Sequence, residues 1–251
     1  MSAPTTIYRV VPDPQAYAGI HLVEDDGQDM ETISHRFNMY QMIEVVSYHC
    51  RARPDFFVGG NNFIYFNPDQ ARNRDYRGPD FFYIKDGVDR MREREFWAIW
   101  EENGRLPDLV IELTSATTEV EDRTTKFAIY EQSWRMPEYF LYDPLTFQLE
   151  GFRLVDGAYQ PLQLDERGWM WSEEFGLWLG LWEGKFLERQ GTWLRLYTSD
   201  GELALRYDEA AKQLADEQRR RADAAEQELV RLRALLTGQE HQAGTKNGSP
   251  P

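Results

Sequence analysis

Glu112 lies inside an otherwise apolar run, Leu109-Val110-Ile111-Glu112-Leu113, that reads as a strand buried on both faces. A carboxylate in such a place needs a partner, because burial strips its hydration. On that strand alone, a structural ion pair explains Glu112 as well as chemistry does. A second acid strengthens the chemical reading: Asp80 follows Gly78-Pro79 and opens another strand candidate, Phe81-Phe82-Tyr83-Ile84. Two carboxylates at adjacent strand ends make a site for a hard cation. Mg2+ takes oxygen ligands in an octahedron, commonly one or two of them carboxylates, and leaves the rest to water and a substrate phosphate. A lysine is then wanted to orient the attacking water or hold the phosphate, and Lys126 lies one helix downstream. Its spacing of four from Asp122 also has a plain explanation, an exposed acid-then-base helix pair worth ~0.2–0.5 kcal/mol.

The elements that must carry these residues follow from periodicity. Ser34 can cap a helix running to about position 49, with Met39, Met42, Ile43 and Val46 on its apolar face. Short strands are expected at 56–58, 63–66 and 80–84, and a charged helix at 90–102 with Phe96, Trp97 and Trp100 on one side. After the strand at 109–113 comes a helix over about 118–134, where Val120, Phe127, Tyr130 and Trp134 keep helical spacing. Strands at 139–142, 146–154 and 159–164 complete the order, the first two joined at Asp143-Pro144. This is an α/β fold with a mixed central sheet flanked by helices. The globular part spans residues 1–205. Residues 206–237 hold neither Gly nor Pro and have the composition of a long helix. There Ala211, Ala215, Gln218, Ala222, Ala225, Leu229, Leu232 and Leu236 form a seam of coiled-coil spacing, so this helix is expected to pack on a partner. Residues 238–251 are polar and read as a disordered tail.

Four segments carry a resemblance: Arg77-Gly78-Pro79-Asp80; Pro107-Asp108-Leu109-Val110-Ile111-Glu112-Leu113-Thr114-Ser115; Asp122 to Lys126 to Tyr130; and Pro137-Glu138-Tyr139-Phe140-Leu141-Tyr142-Asp143-Pro144. In this order and spacing the chain resembles the Uma2 family, a branch of the PD-(D/E)XK or restriction-endonuclease-like nucleases, over roughly residues 30–205. The long C-terminal helix is similar to the extension many members carry. The resemblance implies a Mg2+- or Mn2+-dependent endonuclease that hydrolyses DNA phosphodiester bonds. Asp80 and Glu112 would bind the metal, helped by the backbone carbonyl of Leu113. The usual lysine, two residues after the acid, is here Thr114, and the resemblance transfers its role to Lys126 on the helix. A catalytically weak nucleic-acid-binding or scaffold protein is the alternative, and a third reading makes the C-terminal helix the functional element of an oligomeric module.

Further candidates surround this set. Glu44, on the flank of the first helix, could add an acid that reaches the metal, or be a solvated helix glutamate. Asp108 precedes Glu112 by four and so shares its strand face; it could support the site or simply mark the strand's entry. His35 opens the first helix where the family tends to have a histidine, and it could equally cap or pack; the four histidines have no metal-ligand spacing. Arg72, Arg74 and Arg77, with Arg51, Arg53, Lys85, Arg90, Arg92 and Arg94, flank Asp80 and could grip phosphates. The interleaved Glu93 and Glu95 offer self-pairing instead. The tryptophans from Trp169 to Trp182 could stack bases but more often fill a core at this density.

Composition bounds all of this. With 251 residues, 41% hydrophobic and 28% charged, the chain can bury one sizeable core. No apolar run approaches a membrane span, and positions 1–10 lack a secretory pattern, so a soluble, cytoplasmic protein is expected. One cysteine, Cys50, excludes an intrachain disulfide and a thiolate zinc cluster. A net charge of −15 repels phosphate backbones at long range, so DNA contact would require a local basic patch. A homo-oligomer, most simply a dimer, is expected.

Overall fold

The computed structural model describes residues 8–20, 33–73, 78–115 and 117–244, with side chains to position 234. The chain divides into two units, Met1–Ala204 and Leu205–Pro251. The first is built on a six-stranded mixed sheet. Its strands are β1 (Phe57–Gly59), β3 (Phe81–Ile84), β5 (Leu109–Leu113), β6 (Glu138–Tyr142), β7 (Leu149–Val155) and β8 (Ala158–Pro161), side by side in that order. Among the described residues of this sheet only β5 and β6 run parallel, with Glu112 opposite Leu141 and Leu113 opposite Tyr142, and its other neighbouring pairs are antiparallel. A parallel pair needs a crossover, and the helical segment at 119–134 supplies it. Two smaller sheets complete the unit: β2 (Ile64–Tyr65) beside β4 (Trp97–Ala98), and β9 (Met170–Ser172), β10 (Leu177–Phe186) and β11 (Arg189–Tyr197) in the order β11-β10-β9.

Strand alternation sorts the core into two layers. Leu109, Ile111 and Leu113 of β5 join Phe81, Tyr83, Phe140 and Tyr142 on one face, packed with Met39, Met42, Val45 and Val46 of helix α1 (Ile33–His49). Met170, Leu177, Leu179, Leu194 and Leu196 of the three-stranded sheet close that layer. Val110, Phe82, Tyr139 and Leu141 point the other way, onto Phe66, Trp97, Ile129, Tyr130 and Trp134. Glu112 shares the parity of Val110, so its carboxylate is delivered into this second layer, beneath the crossover helix. β5 and β6 read as nearly unbroken apolar runs because both of their faces are covered.

The crossover helix is irregular. It opens as α3 (Glu119–Glu121), winds as π-helix over Asp122–Lys126 and again over Ile129–Trp134, and stops where Arg135 takes φ 51°, two residues before Pro137. A regular α-helix turns about 80° between positions i and i+8. The wider π turns take up that drift, so Asp122, Lys126 and Tyr130 stay directed at β5.

Several expected elements shift. The stretch 90–102 is not one helix: it holds turns, β4 and a short 3-10 turn, Ile99–Glu101. Trp97 is buried as a strand residue whose indole donates to the Arg105 carbonyl at 2.8 Å, so the aromatic spacing there is not a helical face. Helix α1 begins at Ile33, which puts Ser34 inside it, its carbonyl accepting from Asn38 Nδ2 at 2.9 Å, rather than at the cap. Strand β7 starts at Leu149 because Asp143 Oδ1 accepts from the amides of Leu145 and Thr146 and holds positions 143–147 as a turn. Pro68–Arg72 adds helix α2, capped by Asn67 Oδ1 on the amides of Asp69 and Gln70. The second unit is helix α4, Tyr207–Gly244, which passes Gly238 rather than stopping before it. A single helical Gly costs only about 1 kcal/mol against Ala.

Candidate active site

The C-terminal end of β5 and the residue ahead of β3 bring the two predicted acids together. The Asp80 amide donates to Glu112 Oε2 at 3.3 Å, and the Leu113 amide donates to Asp80 Oδ2 at 2.6 Å. A strand residue's N–H and C=O lie on the same edge, so the Leu113 carbonyl faces Asp80 as well. His35, at the start of α1, places Nε2 3.3 Å from Asp80 Oδ2. From the crossover helix, Lys126 Nζ sits 3.0 Å from Glu112 Oε2 and 2.8 Å from Asp122 Oδ1. The Tyr130 hydroxyl donates to Glu112 Oε1 at 2.6 Å. Both oxygens of Glu112 are therefore occupied, one by a phenol and the other by an ammonium and an amide.

Burial makes this cluster electrostatically tense. Glu112 is 0% exposed, and burial, reinforced by Asp80, pushes its pKa up to about 7 against the pull of Lys126 and Tyr130. Burial also raises Asp122, with Glu112 adding to the effect and Lys126 opposing it. Burial alone would lower Lys126, yet Glu112, Asp122 and Asp80 together hold it above the usual lysine range. The three acids thus favour the cationic form of Lys126. With all three carboxyls ionised, Asp80, Glu112 and Asp122 outnumber Lys126 by two negative charges.

That excess is what a divalent cation would cancel. Two carboxylates and a backbone carbonyl are hard oxygen donors of the kind Mg2+ accepts, so the donor chemistry fits. Among the described residues, no group of three or more His, Cys, Asp or Glu side chains is arranged to hold a metal by itself. Carbonyl, water and substrate oxygens would have to complete the shell.

The other predicted residues go elsewhere. Asp108 shares the face of Glu112, but four strand residues separate them by about 13 Å. At the opposite end of β5, its Oδ2 accepts from the Lys85 amide at 2.8 Å and from Arg105 Nη2 at 2.9 Å. That is a structural clasp rather than support for the site. Glu44 lies nine residues beyond His35 along α1, about 13 Å of helix rise away, so the helix that delivers the histidine carries the glutamate off. Thr114 is buried and donates its amide to the Tyr142 carbonyl at 2.8 Å. The basic residues that flank Asp80 in sequence are largely paired. Arg72 bonds Asp69 and the Ala16 carbonyl, Arg53 meets Asp55, Lys85 meets Glu174, and Arg94 grips Glu102 through Nε at 2.7 Å and Nη2 at 2.9 Å. Arg92 pairs with Glu101 and Glu102, not with the interleaved Glu93 and Glu95. Arg74 and Arg77 lie outside the described residues.

The tryptophans from Trp169 to Trp182 are half-buried and rest on neighbouring aromatic and arginine side chains. Trp169 stacks on Tyr197 at 3.8 Å, Trp171 meets Trp178 edge-on at 5.2 Å, and Arg167 lies 4.1 Å over Trp169. Glu138, from the Pro-Glu-Tyr segment, is buried and structural. It receives Arg153 through Nε at 3.0 Å and Nη2 at 2.8 Å, together with the Ser172 hydroxyl, which ties β6 to β9.

Asp122 and Tyr130 are the site residues that sequence reasoning left without a chemical role. The signal was present: Asp122, Lys126 and Tyr130 recur every four residues, the spacing of one helix face. The exposed-pair explanation of Asp122 and Lys126 fails, because their side chains are 1% and 15% exposed.

A family model described as "Uma2: Putative restriction endonuclease" matches residues 35–190. No curated protein matches the chain. Among solved structures it is similar to "a putative nuclease belonging to DUF820" from Anabaena variabilis, 14% identical, with 61% of this chain and 81% of that one covered and a TM-score of 0.37. No described helix is long and apolar enough to cross a membrane.

Proposed function

We propose that this chain, which belongs to the Uma2 family of restriction-endonuclease-like proteins, is a metal-dependent endonuclease of the cytoplasm that hydrolyses DNA phosphodiester bonds. The observation that carries the reading is the convergence of Asp80, Glu112 and Lys126 at one end of β3 and β5. Asp80, Glu112 and the Leu113 carbonyl would hold Mg2+ or Mn2+, and when bound the cation supplies charge neutralisation at the phosphate and a lowered pKa for water. Lys126, with its ammonium 3.0 Å from Glu112, takes the role of the lysine that the usual motif carries at the position of Thr114. It orients the attacking water or stabilises the charge that develops on the phosphoryl oxygens. Asp122 holds that ammonium in place, and Tyr130 fixes the rotation of the Glu112 carboxylate. His35 orients Asp80 from the side opposite the crossover helix.

The paired state of Arg53, Arg72, Arg92 and Arg94 favours a second reading, a protein of this fold with weak catalysis that acts by binding or assembly. One experiment separates the two. Supercoiled, linear duplex and single-stranded DNA are incubated at low salt with the protein in Mg2+, Mn2+ or EDTA, beside Asp80→Asn, Glu112→Gln and Lys126→Met. The nuclease reading expects cleavage that needs the cation and disappears in all three folded variants. Cleavage that survives Glu112→Gln, or none with any DNA and either cation, sinks it.

A further inference from the structure

Helix α4 is 38 residues long, and every side chain from position 211 to 234 is exposed. Leu214, Leu229, Val230 and Leu232 are among them, at 56, 54, 63 and 48% exposure. A long helix draws most of its stability from an apolar face packed on something else, and helical propensity alone seldom suffices in water. The seam that repeats at alternating steps of four and three is uneven. Ala211, Ala215, Ala222 and Ala225 occupy its first part, Leu229 and Leu232 its last. Two such helices in parallel would face Ala with Ala over one half and Leu with Leu over the other, and so require two different separations. Antiparallel, with the centre between positions 222 and 225, Ala215 lies opposite Leu232 of a second copy and Gln218 opposite Leu229. Ala222 then meets Ala225. Small against large gives the layers a more uniform thickness.

The flanking charges close in the same alignment. Arg221 faces Glu228 of the second copy and Arg219 faces Glu226, each pair occurring twice by the two-fold. Within one helix these groups have only exposed neighbours: Arg221 pairs with Glu217, and Glu228 lies 3.9 Å from Arg231. Lys212 meets a like charge, Arg233, at the outer turn. We infer that α4 is the contact between two copies of this chain, packed as an antiparallel two-helix coil. The contact owes nothing to the nuclease chemistry, and a catalytically silent protein would form it as well.

Sedimentation equilibrium of the full-length protein tests it. A dimer is expected. Arg221→Glu alone sets like charges opposite Glu228 at both symmetric positions, and Glu228→Arg alone does the same opposite Arg221. Each variant should weaken dimerisation by about tenfold. An equimolar mixture of the two restores a heterodimer, because Glu now faces Arg at every such position. A second readout fixes direction: Ala222→Cys mixed with Ala225→Cys forms an interchain disulfide under mild oxidation, while neither alone does, and the native Cys50 is buried. A monomer at all concentrations overturns the inference, as does a dimer indifferent to both charge variants. Failure of the mixture to recover overturns it too, since parallel helices would pair position 221 with 226 instead.

Discussion

Replacing Tyr130 by phenylalanine deletes one hydroxyl and keeps the ring, which packs 4.7 Å from Trp134 and 5.0 Å from Tyr139. The substitution therefore removes the 2.6 Å hydrogen bond to Glu112 Oε1. Its worth depends on the charge of Glu112. A hydrogen bond to an ionised carboxylate contributes about 1.5–3 kcal/mol and a neutral one about 0.5–1.5. Glu112 titrates in the folded protein at about 7, raised from 4.5 by burial. At pH 5.5 the folded protein carries it protonated, and at pH 8.5 ionised. Tyr130→Phe should thus cost about 1 kcal/mol at pH 5.5 and about 2–3 kcal/mol at pH 8.5. The difference corresponds to a further rise of about one unit in the Glu112 pKa. Urea unfolding of both proteins in EDTA at the two pH values reads this directly. A cost that is equal at both, or larger at pH 5.5, would refute the claim that Tyr130 holds the ionised form. In the cleavage assay the same substitution should move the acidic limb of the pH profile upward, whereas a merely structural loss would lower activity uniformly.

Four more outcomes are expected. Because the folded pKa of Glu112 lies above its unfolded value, the folded state holds the extra proton; its contribution to stability is complete below pH 4.5 and disappears as pH rises through about 7. Metal-free protein should lose stability across that window, and millimolar Mg2+ or Mn2+ at pH 7.5 should raise Tm, as measured by calorimetry; no response to either cation would count against the carboxylate site. Arg153→Met strands Glu138, 1% exposed, without its cation, and should cost about 3 kcal/mol in urea unfolding. Arg94→Gln, which breaks a double contact with buried Glu102, should cost about 2 kcal/mol or more and leave DNA affinity unchanged in a fluorescence-anisotropy titration; weakened binding by a normally folded variant would return Arg94 to the substrate surface.

The legible parts of the fold were those where burial is symmetric. Leu109–Leu113 is apolar on both faces, so it could hardly be anything but an internal strand, and the conflict of Glu112 with its surroundings was visible at once. Helix α1 was equally plain, since Met39, Met42 and Val46 recur on one side. Position 97 misled for the opposite reason. Phe96, Trp97 and Trp100 fit a helix by spacing, but no local pattern reports that Trp97 lies in a strand whose partner is Ile64. Parity along a strand says which face a residue takes and nothing about which end matters, so Asp108 looked like a companion to Glu112. For the arginines, spacing could not disclose partners such as Glu102 and Glu174 that tertiary structure supplies. Asp122 and Tyr130 escaped because only the crossover of the helix onto β5 decides which of its sides is dry.

The π turns between Asp122 and Trp134 set local backbone geometry against the packing and the site that the helix serves. A π turn is an α-helix carrying one residue too many. Deleting a residue between Lys126 and Tyr130 would let the ordinary hydrogen-bond ladder close, a local relief to the backbone. It would also swing everything downstream through about 100° around the helix axis, taking the Tyr130 hydroxyl off Glu112. The irregular winding is thus a form of length control: a missing residue would relieve the backbone locally, while Ile129 and Trp134 would lose their places in the core as Tyr130 lost the carboxylate.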